Sequence, residues 1–153
     1  MVRQRTFNPK IVGSIPTLGT TLVNYRERRY MKTFDADLAA TAKQVYDDAA
    51  DYIKNMGWCQ GVFRATDEYG IEHKCASAAV EDACFSYMRY RDFPYNENLK
   101  ILVYGTASDY MSEMNIRSFA SYNDNFDVSR KDVVNFLRNI GNSIEVIDES
   151  ITT

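Results

Sequence analysis

The chain has 153 residues, of which 45% are hydrophobic and 25% charged. That suits one domain, which buries roughly two-thirds of its unfolded surface without help from a disulfide or a metal. No apolar run approaches the roughly 18 residues of a membrane span, and the opening MVRQRTFNPK has no apolar h-region, so neither a membrane protein nor a secreted one is expected. Cys59, Cys75 and Cys84 form an odd set with no framework spacing, which points to reduced thiols in a reducing compartment.

The net charge of −3 hides an asymmetry. Residues 1–32 carry seven basic side chains, Arg3, Arg5, Lys10, Arg26, Arg28, Arg29 and Lys32, against Glu27 alone, a net of +6 that leaves −9 on the rest. Pro9, Gly13, Pro16 and Gly19 interrupt every apolar run there, so residues 1–32 are expected to form an extended basic arm. Such an arm suits an acidic protein surface, a second copy of the chain, or nucleic acid. Phe7, Tyr25 and Tyr30 could stack on unpaired bases. The stretch 13–21 lacks the glycine spacing and the lysine of a phosphate loop.

A helical domain is expected over 33–141. Its first helix spans 35–56: Leu38, Ala42, Val45, Ala49, Tyr52 and Met56 share one face. Thr33 or Asp35 would cap its start, and Gly57 would stop it in a positive-φ conformation, with Trp58 packing back on Ile53. A β-hairpin is expected at 58–77, with Asp67-Glu68-Tyr69-Gly70 as a four-residue loop pairing Thr66 with Ile71. A second helix, 77–90, would be capped by Ser77 and present Val80, Cys84, Tyr87 and Met88, before Pro94 enforces a break.

The 97–114 stretch is read as a third helix from Leu99, Leu102, Val103, Ala107, Tyr110, Met111 and Met114, although Ile101–Tyr104 would also suit a buried strand. Residues 115–128 read as a polar, aromatic loop. Ser129 and Asp132 resemble a capping box opening a last helix, which buries Val133, Phe136, Leu137 and Ile140 and stops at Gly141. A short tail, 142–153, follows. The fold class is therefore α+β, mainly helical, with about four helices, one β-hairpin and an extended N-terminal arm.

Few residues suggest chemistry. His73 and Cys75 lie two apart on one strand face, where an imidazole could take a thiol proton. No nucleophile signature surrounds Cys75, and a half-buried hairpin explains both residues. Cys59, His73, Cys75 and Cys84 are zinc-ligand types without zinc spacing, better read as structural; no metal and no cofactor are expected. Asp47-Asp48-Ala49-Ala50-Asp51 spells D-D-x-x-D on a helix, which could hold a divalent cation. Lys43 and Lys54 at helical spacing make a solvated, salt-bridged face the better explanation.

Three short motifs stand apart: Trp58-Cys59-Gln60-Gly61, Cys75-Ala76-Ser77-Ala78-Ala79 and Tyr122-Asn123-Asp124. With them the chain resembles, over about residues 36–141, an uncharacterised family of small actinobacterial and phage proteins. That family's pattern is W-x-Q-G, C-A-x-G-A and W-N-D in this order, with helices between and after. This chain departs from it with Ala78 for glycine and Tyr122 for tryptophan. The resemblance implies a fold and a phage origin, and no activity. Physically, Trp58 and Tyr122 are packing anchors. Gln60, Asn123 and Asp124 either satisfy buried backbone groups around the hairpin or line a small polar pocket, and the first is preferred.

The expected function is a non-enzymatic assembly or interaction protein, a phage-particle or phage accessory component, located in the host cytoplasm or the virion, whose arm docks on a partner. The alternatives are a small cysteine-dependent enzyme using Cys75 and His73, and a nucleic-acid-binding accessory protein.

Overall fold

The structure, a computed structural model, describes residues 36–145. The expected basic arm, with Arg3, Arg5, Lys10, Arg26, Arg28 and Arg29, lies outside the described residues, as does most of the tail. The elements in chain order are α1 (Ala36–Asn55), β1 (Arg64–Thr66), β2 (Glu72–Lys74), α2 (Ala76–Met88), α3 (Phe93–Glu113), α4 (Phe119–Asn123) and α5 (Arg130–Asn142). The described residues are thus mainly helical with one two-stranded antiparallel hairpin.

Helix α1 is the central post. It buries Leu38, Ala39, Ala42, Val45, Tyr46, Ala49, Ala50 and Ile53, a stripe wider than the expected face, because it meets several helices. Tyr46 Oη donates to the Val103 carbonyl of α3, Tyr87 of α2 donates to Asp48, and Lys43 reaches Asn142 Oδ1 and the Gly141 carbonyl at the end of α5. Tyr52 falls at the edge of this stripe and is half-buried. Met56, past the last helical residue, is half-exposed.

Glycine 57 is not a positive-φ stop. A Cβ there would stand 2.9 Å from the His73 ring and 3.2 Å from the Glu72 carbonyl, so it is close approach of β2 that demands glycine. Gly141 likewise is no stop: it lies inside α5, where a Cβ would come within 2.9 Å of Tyr46 Cβ.

The hairpin is shorter than expected and its register differs by one. Arg64 pairs with Lys74, Ala65 with His73 and Thr66 with Glu72. Asp67 explains the shift. Its Oδ1 accepts the N–H groups of Tyr69 and Ile71, and its carbonyl accepts the Gly70 N–H. Gly70, at φ +80°, then closes a three-residue loop of the bulged type. Residues 58–63 form a loop, not a strand. Trp58 makes only a parallel bridge to Lys74 on the other edge of β2.

Helix α2 starts one residue early, with Cys75 as N-cap instead of Ser77: its Sγ accepts the Ala78 N–H. Pro94 sits in the first turn of α3 behind the Asp92 cap, so it opens that helix as well as ending the linker. Residues 101–104 are helical. Helix α3 ends in a Schellman motif: Asn115 takes φ 60°, Ile116 N–H reaches the Met111 carbonyl and Asn115 N–H that of Ser112. The expected 115–128 loop contains α4, opened by a Ser118/Ser121 capping box. The Ser129/Asp132 box opens α5, which buries Val133, Val134, Phe136, Leu137 and Ile140.

Candidate functional site

The three motifs converge on one side chain. Asn123, the last residue of α4, is fully buried. Its Oδ1 accepts the Trp58 indole N–H at 2.7 Å and the Ala76 backbone N–H at 3.0 Å. Its Nδ2 donates to the Cys59 carbonyl at 3.0 Å and to Asp124 Oδ1 at 2.9 Å. Two accepted and two donated bonds use the whole capacity of a carboxamide. This also assigns its orientation, since a flipped amide would face donor to donor and acceptor to acceptor.

Neighbouring groups close the arrangement. Gln60 Nε2 donates to the Asn123 and Asn125 carbonyls at 2.9 and 3.1 Å. The Gly61 N–H, on a residue with φ +79°, donates to Asp124 Oδ1 at 3.0 Å. Tyr122 stacks on Phe136 of α5, with ring centroids 4.2 Å apart. The loop 58–63, the start of α2 and the end of α4 are thereby held as one unit.

His73 and Cys75 are directed to different partners. His73 Nδ1 lies 3.2 Å from the Trp58 carbonyl and Nε2 2.8 Å from Asp67 Oδ2. Both partners accept, so the doubly protonated ring fits best. The bond to Asp67 foremost, then that to Trp58, raises the His73 pKa above its ordinary value, while the His73 bond lowers that of Asp67. Cys75 is buried and caps α2. Cys59 Sγ points at the Val62 and His73 carbonyls, both at 3.5 Å, and burial above all raises its pKa. Cys84 is buried on α2, its thiol raised to about 11 by burial. A thiol so raised is protonated at neutral pH and a poor nucleophile. Among the described residues no three His, Cys, Asp or Glu side chains group as metal ligands.

The D-D-x-x-D acids are paired differently from the expected lysine pattern. Arg138 of α5 reaches Asp51 at 2.6 Å and Asp47 at 3.5 Å, and Asp48 takes the Tyr87 hydroxyl. One ionic cluster had no sequence signal. Asp82 on α2 receives Arg64 through both of its oxygens and Lys74 at 2.6 Å. Lys74 is almost buried, with its ammonium 3.9 Å from the centre of the Tyr52 ring. The Arg64 bond chiefly, with Lys74 adding and burial opposing, lowers the Asp82 carboxyl to about 2.

This helical scaffold, with its motif residues joined through Asn123, falls within a known family model. Residues 38–141 match DUF6197, a family of unknown function. The chain belongs to this family. No curated protein and no solved structure matches it. Among the described residues, no helix is long and apolar enough to cross a membrane.

Proposed function

We propose that this member of the DUF6197 family is a non-catalytic interaction protein whose folded body presents a docking arm, and that it serves as a component or accessory of a phage particle. The observation that carries the non-catalytic part is the complete engagement of Asn123: both ends of its amide hold backbone and indole groups. Gln60, Asp124, His73 and Cys75 are similarly tied to neighbouring groups. A reactive centre needs a nucleophile within reach of its base, whereas here the imidazole and the Cys75 thiol serve different elements. The phage setting rests on the resemblance of the three motifs.

The arm is the natural docking device, because its +6 charge contrasts with the acidic remainder. Deleting residues 1–32 should leave a cooperative melt for 33–153 and abolish co-assembly with the partner copurified by the full chain. A truncated protein that joins its complex with unchanged affinity would defeat the docking-arm reading. An activity found in the full chain and destroyed by Cys75→Ser would defeat the non-catalytic one.

A further inference from the structure

Lys54 ends α1, and Arg130, Lys131, Val134, Asn135 and Arg138 form one stripe of α5. Together they line an open cleft of about 460 Å³. The volume is within the range of ligand-sized clefts. Four of the six lining side chains are cationic, and none is acidic or aromatic, in a chain whose net charge is negative.

The two arginines are held in place from behind. Arg130 Nε donates to the Ile53 carbonyl at 2.6 Å, and Arg138 is braced by Asp51 and Asp47. Lys54 and Lys131 are exposed, and neither makes a hydrogen bond or ion pair among the described residues. The nearby Asp132 is engaged in capping its own helix through Ser129. Asp51 and Asp47 offset the charge of Arg138, so Arg130, Lys54 and Lys131 supply the excess positive charge of this concave surface.

We infer that this cleft binds the phosphate backbone of a nucleic-acid strand, at a site in the folded body separate from the basic arm. The inference rests on the reading of the chain as a binding protein and names a partner class for it. Phosphodiesters match the cleft because its lysine and arginine head groups neutralise them, while the alkyl stems of those side chains line its walls. A protein partner would need buried aromatic or large aliphatic anchors at the centre of its interface, and among the described residues lining the cleft Val134 is the one aliphatic side chain. With no lining aromatic ring to stack a base, binding is expected to be independent of sequence.

The test is fluorescence anisotropy of the full chain with a labelled oligo(dT) strand across a salt series. The parent should bind at low salt, with log affinity falling linearly against log salt. The double variant Lys54→Glu, Lys131→Glu should bind at least about tenfold more weakly. Replacing both lysines by glutamine should lower the salt slope by about 1.4, roughly 0.7 per phosphate lost. Both variants should remain folded and melt cooperatively, with a slightly lower Tm for the glutamate pair because Lys54 is the basic residue in the last turn of α1. The same lysine-dependent loss should appear in a chain whose arm carries Arg3→Ala, Arg5→Ala and Lys10→Ala. Absence of binding by the parent, or equal binding by the parent and the lysine variants, overturns the inference. Neither result touches the non-catalytic reading, which the Cys75→Ser activity comparison decides separately.

Discussion

The indole N–H of Trp58 and the carboxamide oxygen of Asn123, 65 positions apart in sequence, meet in a 2.7 Å hydrogen bond. The bond joins the loop after α1 to the end of α4, and packing and polarity can be separated there. Trp58→Phe keeps most of the ring but loses the donor, while Ala76 N–H still serves Asn123 Oδ1. It should cost about 0.5–1.5 kcal/mol, the net worth of one hydrogen bond. Trp58→Ala should cost about 3–5 kcal/mol, because it also removes a large packed side chain. Urea unfolding of the two variants checks the order, and a Trp58→Phe protein as weak as Trp58→Ala would refute the split.

Asp82 is the counter-charge of a nearly buried lysine. Asp82→Asn would leave the Lys74 ammonium, among the described residues, with the Tyr52 ring and a neutral amide in place of its carboxylate partner. We expect a loss of about 2–4 kcal/mol, below the full range for buried pairs because Asp82 keeps about a third of its side-chain surface exposed. The sign with pH follows from its lowered pKa. The carboxylate's contribution is present above the ordinary carboxyl value of about 4 and is lost as pH falls towards 2. Thermal melts between those limits should show a shallower acid decline in Asp82→Asn than in the parent.

His73 gives the opposite limb. Its pKa is raised by Asp67 first and the Trp58 carbonyl second, with desolvation and, more weakly, Arg130 opposing. The stability it contributes is fully present below the unfolded value of about 6.5 and fades as pH rises through the higher folded value. The Tm difference between the parent and His73→Gln should therefore be largest near about pH 6 and shrink with increasing alkalinity. Parallel Tm profiles for the two proteins would show that the imidazolium holds nothing.

Two helical glycines should respond in opposite ways to alanine. At Gly105 in α3 an added Cβ meets nothing within 4 Å, so Gly105→Ala should gain about 0.5–1 kcal/mol from helix propensity. At Gly141 the same change drives a methyl to 2.9 Å from Tyr46 Cβ, an atom fixed on the buried face of α1. Overpacking of about 1–3 kcal/mol should then outweigh the propensity gain. Calorimetric Tm values moving in the same direction would contradict this account of how α1 and α5 approach.

Local signals carried far in this sequence, and contacts between distant segments did not show. The Ser129/Asp132 box and the periodic apolar residues of α1 and α5 operate within a few residues, so they were readable. Helix α4 was missed because five residues cannot display a period, and its box is closed by Ser121 instead of the usual Glu or Gln. The hairpin register depended on one carboxylate, that of Asp67, accepting two N–H groups of its own loop. At the site, Trp58, Gln60 and Asn123 stood out through their resemblance to a motif pattern. Their true partners include the Cys59 and Asn125 carbonyls and the Ala76 N–H, backbone groups that carry no residue-type signal. The cleft was invisible for a similar reason: Lys54 and Arg138 are ordinary surface cations until α1 and α5 bring them together.

The most direct test of Asn123 as the structural centre of the motifs is the urea unfolding midpoint of Asn123→Asp. The replacement is nearly isosteric and keeps an acceptor for Trp58 and Ala76, but it turns the Nδ2 donor into an oxygen facing the Cys59 carbonyl and Asp124. A buried, uncompensated charge and an unpaired carbonyl should together remove about 3–5 kcal/mol at neutral pH, moving the midpoint sharply down with little change in slope. A midpoint equal to that of the parent would contradict the account, and would return Asn123 to the candidates for ligand binding or catalysis.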